Sequence, residues 1–147
     1  MTRPTPSRPE ARAYRLEDLV VGMSVHYTTR VTRKDVAAFA RLCGDVSPLH
    51  VDRDFGAASA FGGNIVHGML ASSHFSTLAG VYLPGENAVL AGMNLSYTSP
   101  IPVGSQVTFS ARIARISRPQ GSITLNLLAF VDGDVCIRGE AAVKVTR

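Results

Sequence analysis

The sequence predicts an α+β fold in which a strongly curved antiparallel sheet wraps around a long central helix. Three observations carry that expectation. Residues 66 to 83, "VHGMLASSHFSTLAGVYL", contain no Lys, Arg, Asp or Glu, so a helix formed there has no face suited to water. The chain after it is a succession of period-two runs separated by turn residues. The chain before it holds one alternating run and two helical segments, all short.

Each element follows from a local pattern. Residues 1 to 13 carry Pro4, Pro6 and Pro9 among arginines and are expected to be a disordered basic leader, with residues 14 to 147 as one domain. Val25, Tyr27, Thr29 and Val31 alternate, which predicts a strand with one buried face. Thr32 with Asp35 three positions on resembles a capping box, and Val36, Phe39, Ala40 and Cys43 then recur at helical spacing up to Gly44. Cys43 is therefore expected as a small buried residue of that helix. Residues 52 to 60 predict a short helix capped by Asp52 and Asp54, and "FGGN" a loop. The uncharged helix from about Val66 to Leu83 is stopped by Pro84 and Gly85 and is expected to be buried nearly all round. A strand in "AVLAGMNLSYTSP" leads to a turn at "IPVG". Val107, Phe109, Ala111 and Ile113 then alternate until a phase slip at Ala114 that predicts a bulge. Ile123 to Val131 alternate again, and "DGD" turns the chain into a last strand from Val135 to Val145.

Composition removes several function classes. The chain has 147 residues, 46% hydrophobic and 18% charged, an ordinary balance for one cored domain. Its two cysteines, Cys43 and Cys136, are too few for a disulfide scaffold and lack zinc-ligand spacing. Arg3, Arg8, Arg12 and Arg15 against Glu10 hold three of the four net positive charges, so residues 16 to 147 are nearly neutral and carry no basic stripe or nucleic-acid motif. Nucleic-acid binding is not expected. No apolar run reaches the roughly 18 residues of a membrane span, and the first residues lack the apolar core of a signal peptide. A cytoplasmic location and reduced thiols follow as the expectation.

Two segments can carry chemistry. In "CGDVSPLH", residues 43 to 50, Pro48 interrupts helical geometry, and the loop is free to turn Asp45 and His50 toward one point. Read alone, the segment is a helix exit with a loop histidine. In "GGNIVHGML", residues 62 to 70, the uncharged helix begins near His67, so the N–H of Gly68 has no intrahelical acceptor and lies at the positive end of the helix dipole. A glycine there admits a carbonyl oxygen closely, as an oxyanion site for a developing enolate requires.

Taken together, "GDVSPLHVD" at 44 to 52, "FGGNIVHGML" at 61 to 70, "NLSYTSPIPVGSQV" at 94 to 107 and "GEAAVKV" at 139 to 145 resemble the (R)-specific enoyl-CoA hydratases, or MaoC-like dehydratases, of the hot dog fold. The resemblance spans residues 14 to 146. It implies a hot dog domain and a lyase acting on enoyl thioesters. It also implies that Asp45 and His50 hold the catalytic water and that Gly68 supplies the amide for the thioester oxygen. Ser76, further along the same helix, would border the water or acyl site, and His67, Met69 and Leu78 are counted with it as substrate-side residues. Met69, Leu78 and Phe75 serve equally as core or acyl-pocket wall. The implied partners are an acyl-CoA or acyl-carrier-protein thioester and a second copy of the chain; water is the co-substrate, and no cofactor or metal is implied. The family usually has asparagine where this chain has Ser47, which keeps a turn-forming oxygen but loses an amide donor.

Hydration of a 2-enoyl thioester requires charge to move onto the thioester oxygen, a water activated toward C3 and a proton for C2. The preferred assignment makes Asp45 the base, His50 the residue that orients the water and assists proton transfer, and Gly68 N–H the oxygen's donor. Which of Asp45 and His50 moves which proton is left open, because the two can titrate as a unit. Two other readings share the fold: an acyl-thioesterase, and a noncatalytic module that binds an acyl thioester or a partner. Cys43 as a nucleophile, and Asp45, His50, His67 and His74 as a metal set, are the weaker readings, since no HxxxH or CxxC spacing supports the latter.

Overall fold

The computed structural model describes residues 10 to 147. The expected leader lies mostly outside these residues; Arg12 and Ala13, at its end, are already joined to the fold, Arg12 N–H donating to Val81 O at 2.8 Å and Ala13 bridging to Gly85.

A five-stranded antiparallel sheet in the order β1-β3-β4-β5-β2 curves around a central helix. The elements are β1 (Ser24–Arg30), α1 (Arg33–Cys43), α2 (Pro48–Val51), α3 (Arg53–Ala58), α4 (Gly68–Thr77) with a π-helical extension (Leu78–Tyr82), β2 (Ala88–Tyr97), β3 (Gln106–Ser117), β4 (Ser122–Val131) and β5 (Asp134–Val145). This is the α+β hot dog architecture. Strands β3 to β5 form a meander whose inward residues, among them Val107, Phe109, Ala111, Ile113, Leu125, Leu127, Ile137 and Val143, are buried against Phe75, Leu78 and Ala79 of the helix. Each Val, Leu, Ile or Phe side chain among them, fully buried, contributes about 1.5–3 kcal/mol. Phe75 meets Phe109 edge to face at 5.8 Å.

Local signals became local structure. Thr32 and Asp35 form a reciprocal capping box, Asp35 N–H donating to Thr32 Oγ1 at 3.2 Å and Thr32 N–H to Asp35 Oδ2 at 2.7 Å. Gly44 ends α1 with φ +83°, a conformation costly for residues with a Cβ. The register of β3 on β4 slips between Ile113 and Arg115, where the phase changes in the sequence. Asp132 and Gly133, both at positive φ, make the two-residue turn from β4 to β5.

Two expectations need correction. Cys43 is exposed, because α1 packs through Val36 and Ala40 and its last turn projects past the core. The uncharged helix is shorter than 66 to 83 and is covered on one side only: Met69, Ser73 and Ser76, at helical spacing, form an open stripe in the single chain. The sheet wraps the opposite side, which leaves this stripe uncharged for some reason other than burial within the protomer. Among the described residues no helix is long and apolar enough to cross a membrane.

Candidate active site

Asp45 and His50 are delivered by the exit of α1. After the left-handed Gly44, the Asp45 carboxylate accepts the N–H of Ser47 at 3.1 Å, a local turn that presets the loop. This turn uses the backbone of residue 47, and the Ser47 side chain makes no capping bond to α2. Serine in place of asparagine therefore leaves the turn standing. Pro48 opens α2 as its first residue, where a missing N–H costs nothing. One helical turn then carries His50 inward, with His50 Nδ1 2.7 Å from the carbonyl oxygen of Ile65. A carbonyl only accepts, so Nδ1 carries the proton and Nε2 of the neutral ring is left with a lone pair.

Asn64 fixes α2 against the start of the central helix. Buried beneath the loop, its Nδ2 donates to Leu49 O at 2.9 Å and to Asp52 O at 2.7 Å, while its Oδ1 accepts from Arg33 Nη2 at 3.0 Å. A Cβ at Gly56 would stand 2.4 Å from Asn64 Nδ2, so the glycine makes room for this brace. Asp52 caps α3 by accepting Phe55 N–H at 2.9 Å; Asp54 lies in the first turn without such a bond.

The result is a cluster. One carboxylate oxygen of Asp45 and one ring nitrogen each of His50 and His67 lie within 4.8 Å of one another. The His50 and His67 rings stack with centroids 4.1 Å apart. His67 is the N-cap of α4, yet its side chain makes no cap; its Nε2 lies 2.9 Å from the main-chain oxygen of Asp45 instead. These three residues, which the sequence spacing did not favour as a ligand set, are chemically able to hold a divalent cation, though zinc–ligand bonds of about 2.0–2.2 Å would require the donors to close in.

Beside the cluster opens a cavity of about 330 Å³ lined by His50, Ile65, Gly68, Ala71, Tyr97, Pro100, Ile101 and Ile137 among others. Its size falls in the range of small-molecule sites and its walls are mostly apolar. Gly68 is the first residue of α4, so its N–H has no acceptor within the helix and lies at the helix end that favours negative charge. The ring of Tyr97 lies over it: a Cβ on Gly68 would be 2.8 Å from Tyr97 Cε1. Ser72 Oγ donates to Gly68 O at 2.8 Å, and Tyr97 OH lies 2.6 Å from the same Oγ. With the serine proton engaged on the carbonyl, the tyrosine hydroxyl is the donor of that second bond.

The expected site residues thus separate. Asp45, His50 and His67 converge, and Gly68 and His50 share the cavity. Met69 is 68% exposed and touches the site only through Tyr97, whose hydroxyl is 3.8 Å from its Sδ. Ser76 is exposed and does not line this cavity, and Leu78 is fully buried core. His26 is exposed on β1. His74 stands apart from the cluster, its Nδ1 2.6 Å from Tyr27 OH. Burial lowers the pKa of His74, with Asp35 opposing more weakly, and raises that of Tyr27 to about 12. Tyr97, Ser72 and Asn64 were not foreseen as site residues. Tyr97 lies in a motif quoted above, but as a strand residue; only its approach to Gly68 gives it a role.

Known proteins resemble this chain along nearly its full length. The model of the MaoC like domain family matches residues 20–124. An (R)-specific enoyl-CoA hydratase of Aeromonas caviae is 38% identical over 130 residues, 88% of this chain and 97% of that one. A 3-hydroxybutyryl-CoA dehydratase of Methylorubrum extorquens is 32% identical over 139 residues, 95% of this chain and 88% of its own length. The solved (R)-hydratase of A. caviae superposes with a TM-score of 0.86, covering 88% of this chain and 98% of that chain. An R-hydratase from Pseudomonas aeruginosa, 26% identical, gives 0.87 over 92% of this chain and 87% of its own.

Proposed function

The chain belongs to the MaoC-like family of hot dog proteins, with hydratase and dehydratase chemistry at the family level, and on that premise we propose that it is a lyase that reversibly adds water to trans-2-enoyl thioesters to give (R)-3-hydroxyacyl thioesters. The observation that carries the reading is the closeness of the Asp45 carboxylate to His50, which itself lines a cavity shared with Gly68, the first residue of α4. In the hydration direction Asp45 takes a proton from water as the oxygen bonds to C3. The electrons of the C2–C3 double bond shift toward the thioester, whose oxygen accepts from Gly68 N–H. C2 of the enolate then takes a proton from the Asp45–His50 pair, and loss of water follows the same path in reverse. His50, with Nδ1 fixed on Ile65 O, offers Nε2 to orient the water. The names of the relatives favour a CoA thioester as the carrier.

We assign the active form as a homodimer joined through β2. That strand is a sheet edge with no charged residue, and it exposes Val89 and Leu90; the other edge, β1, carries His26 and Arg30. Natural edges that stay free are usually protected by charge.

Crotonyl-CoA is the direct assay. Wild-type protein consumes the enoyl absorbance without releasing free thiol, whereas a thioesterase releases CoA. Asp45→Asn lowers kcat by about 10²–10⁴ at unchanged thermal stability; near wild-type turnover in that variant removes Asp45 as the base.

A further inference from the structure

His67 is the member of the cluster that the proposed chemistry leaves unused. It is 1% exposed, and its Nε2 must carry a proton, because the atom 2.9 Å away is the carbonyl oxygen of Asp45. In the neutral ring Nδ1 is then a bare lone pair, buried and without a hydrogen-bond partner among the described residues. One face of the ring stacks on His50, and Phe39 approaches it edge-on at 5.0 Å.

The loop that carries Asp45 is otherwise loosely held. Gly44 has no atom near enough to restrain a side chain there, and Asp45 and Val46 are exposed. The other hydrogen bonds of residues 44 to 47 reach only neighbours in sequence: Gly44 N–H to Ala40 O, Val46 N–H to Gly44 O, Ser47 N–H to Asp45 Oδ1, and the N–H groups of His50 and Val51 to Ser47 O. His67 Nε2–H to Asp45 O is the one bond among the described residues that ties this loop to a distant element.

We infer that His67 is a positioning residue, which sets Asp45 by its main-chain carbonyl and His50 by its ring face, so that both address one water. The inference rests on the reading of Asp45 and His50 as the water-activating pair. It acts on turnover, since His67 does not line the cavity that takes the substrate. Small displacements of reacting groups reach about 10²-fold in rate.

The test compares His67→Phe, which keeps a ring and loses the donor, with His67→Gln, which keeps an N–H and loses the ring. Asp45→Asn is measured in parallel on crotonyl-CoA. Asp45 O lies in an exposed loop where water can replace the lost donor, so His67→Phe is expected to stay folded. Its kcat falls at least about tenfold with KM within about twofold, and His67→Gln recovers at least about threefold of that loss. If His67→Phe does not fold, His67→Met against His67→Gln, similar in size and differing in the donor, gives the same reading. Turnover within twofold of wild type in the donor-less variant, with Asp45→Asn inactive, overturns the inference alone, as does a glutamine variant no better than the donor-less one. An active Asp45→Asn overturns the pair and the inference with it.

Discussion

A methyl group at position 68 would sit 2.8 Å from Tyr97 Cε1 and 3.2 Å from Cδ1, closer than carbon atoms pack. Glycine therefore answers two demands there, an amide open to a carbonyl oxygen and room for the tyrosine ring. The ring is not free to swing aside without cost, because its hydroxyl is bonded to Ser72 Oγ at 2.6 Å and Ser72 in turn holds Gly68 O. Gly68→Ala should thus displace Tyr97 from the cavity wall while the helix itself stands, since alanine is a good helix former. The expected signature is a kcat/KM roughly tenfold or more below wild type with little change in the unfolding midpoint. Removing the ring as well, in Gly68→Ala/Tyr97→Ala, should leave the alanine methyl uncrowded. An alanine variant within twofold of wild type in kcat/KM would show that the tyrosine yields freely and that the close contact has no bearing on the site.

Between α1 and α4, the α2 turn has no hydrophobic core of its own: none of its residues is buried, and its place is set by polar bonds. Asn64 supplies two of them, to Leu49 O and Asp52 O, from a side chain buried beneath the loop. Asn64→Ala leaves both carbonyls short of a donor and opens a gap under Gly56, at a cost of about 1–3 kcal/mol. Because His50 rides on α2, the same variant should lower kcat even at temperatures where the protein is fully folded. Urea unfolding and kinetics read the two effects separately, and a variant of unchanged kcat would mean that Ile65 O and the His67 ring hold the imidazole without the Asn64 brace. The contrast between α1 and this brace explains what was legible beforehand. Thr32, Asp35 and Gly44 act on backbone groups within a turn of themselves, and the slip at Ala114 and the Asp132–Gly133 turn are equally local, so the sequence pattern contains them. Asp45, His50 and Gly68 were also legible, as chemically apt residues at loop and helix-start positions. Asn64, Tyr97 and the stacking of His67 on His50 were not, because each depends on which distant backbone folds over it. Cys43 was misread for a related reason: helical spacing marks a face, but whether the last turn of that face meets the core depends on where the core ends.

At the scale of the molecule, two of the surfaces that the single chain leaves open are uncharged stretches of β2 and α4. Val89 and Leu90 on β2 are 53% and 47% exposed, and the uncharged stripe of Met69, Ser73 and Ser76 runs along α4. β2 is hydrogen-bonded to β5 on one side only, and its whole length from Ala88 to Tyr97 carries no charge that would discourage another strand. Pairing β2 with the β2 of a second copy would satisfy that edge, and it brings the partner close to Tyr97, the strand's last residue, which lines the cavity. Assembly and activity should then be lost together. The wild-type chain is expected to sediment at twice its 15.6 kDa mass at micromolar concentration. Val89→Arg/Leu90→Arg places two like charges on each copy of the edge and should give a folded monomer with the far-ultraviolet circular dichroism of wild type and kcat/KM reduced roughly tenfold or more. A wild-type monomer that turns over crotonyl-CoA at full rate would rule out the β2 dimer as the active form. A double-arginine variant that still sediments as a dimer would move the interface to the other edge or to the helix stripe, where Ser73→Glu would be the next substitution to disrupt it.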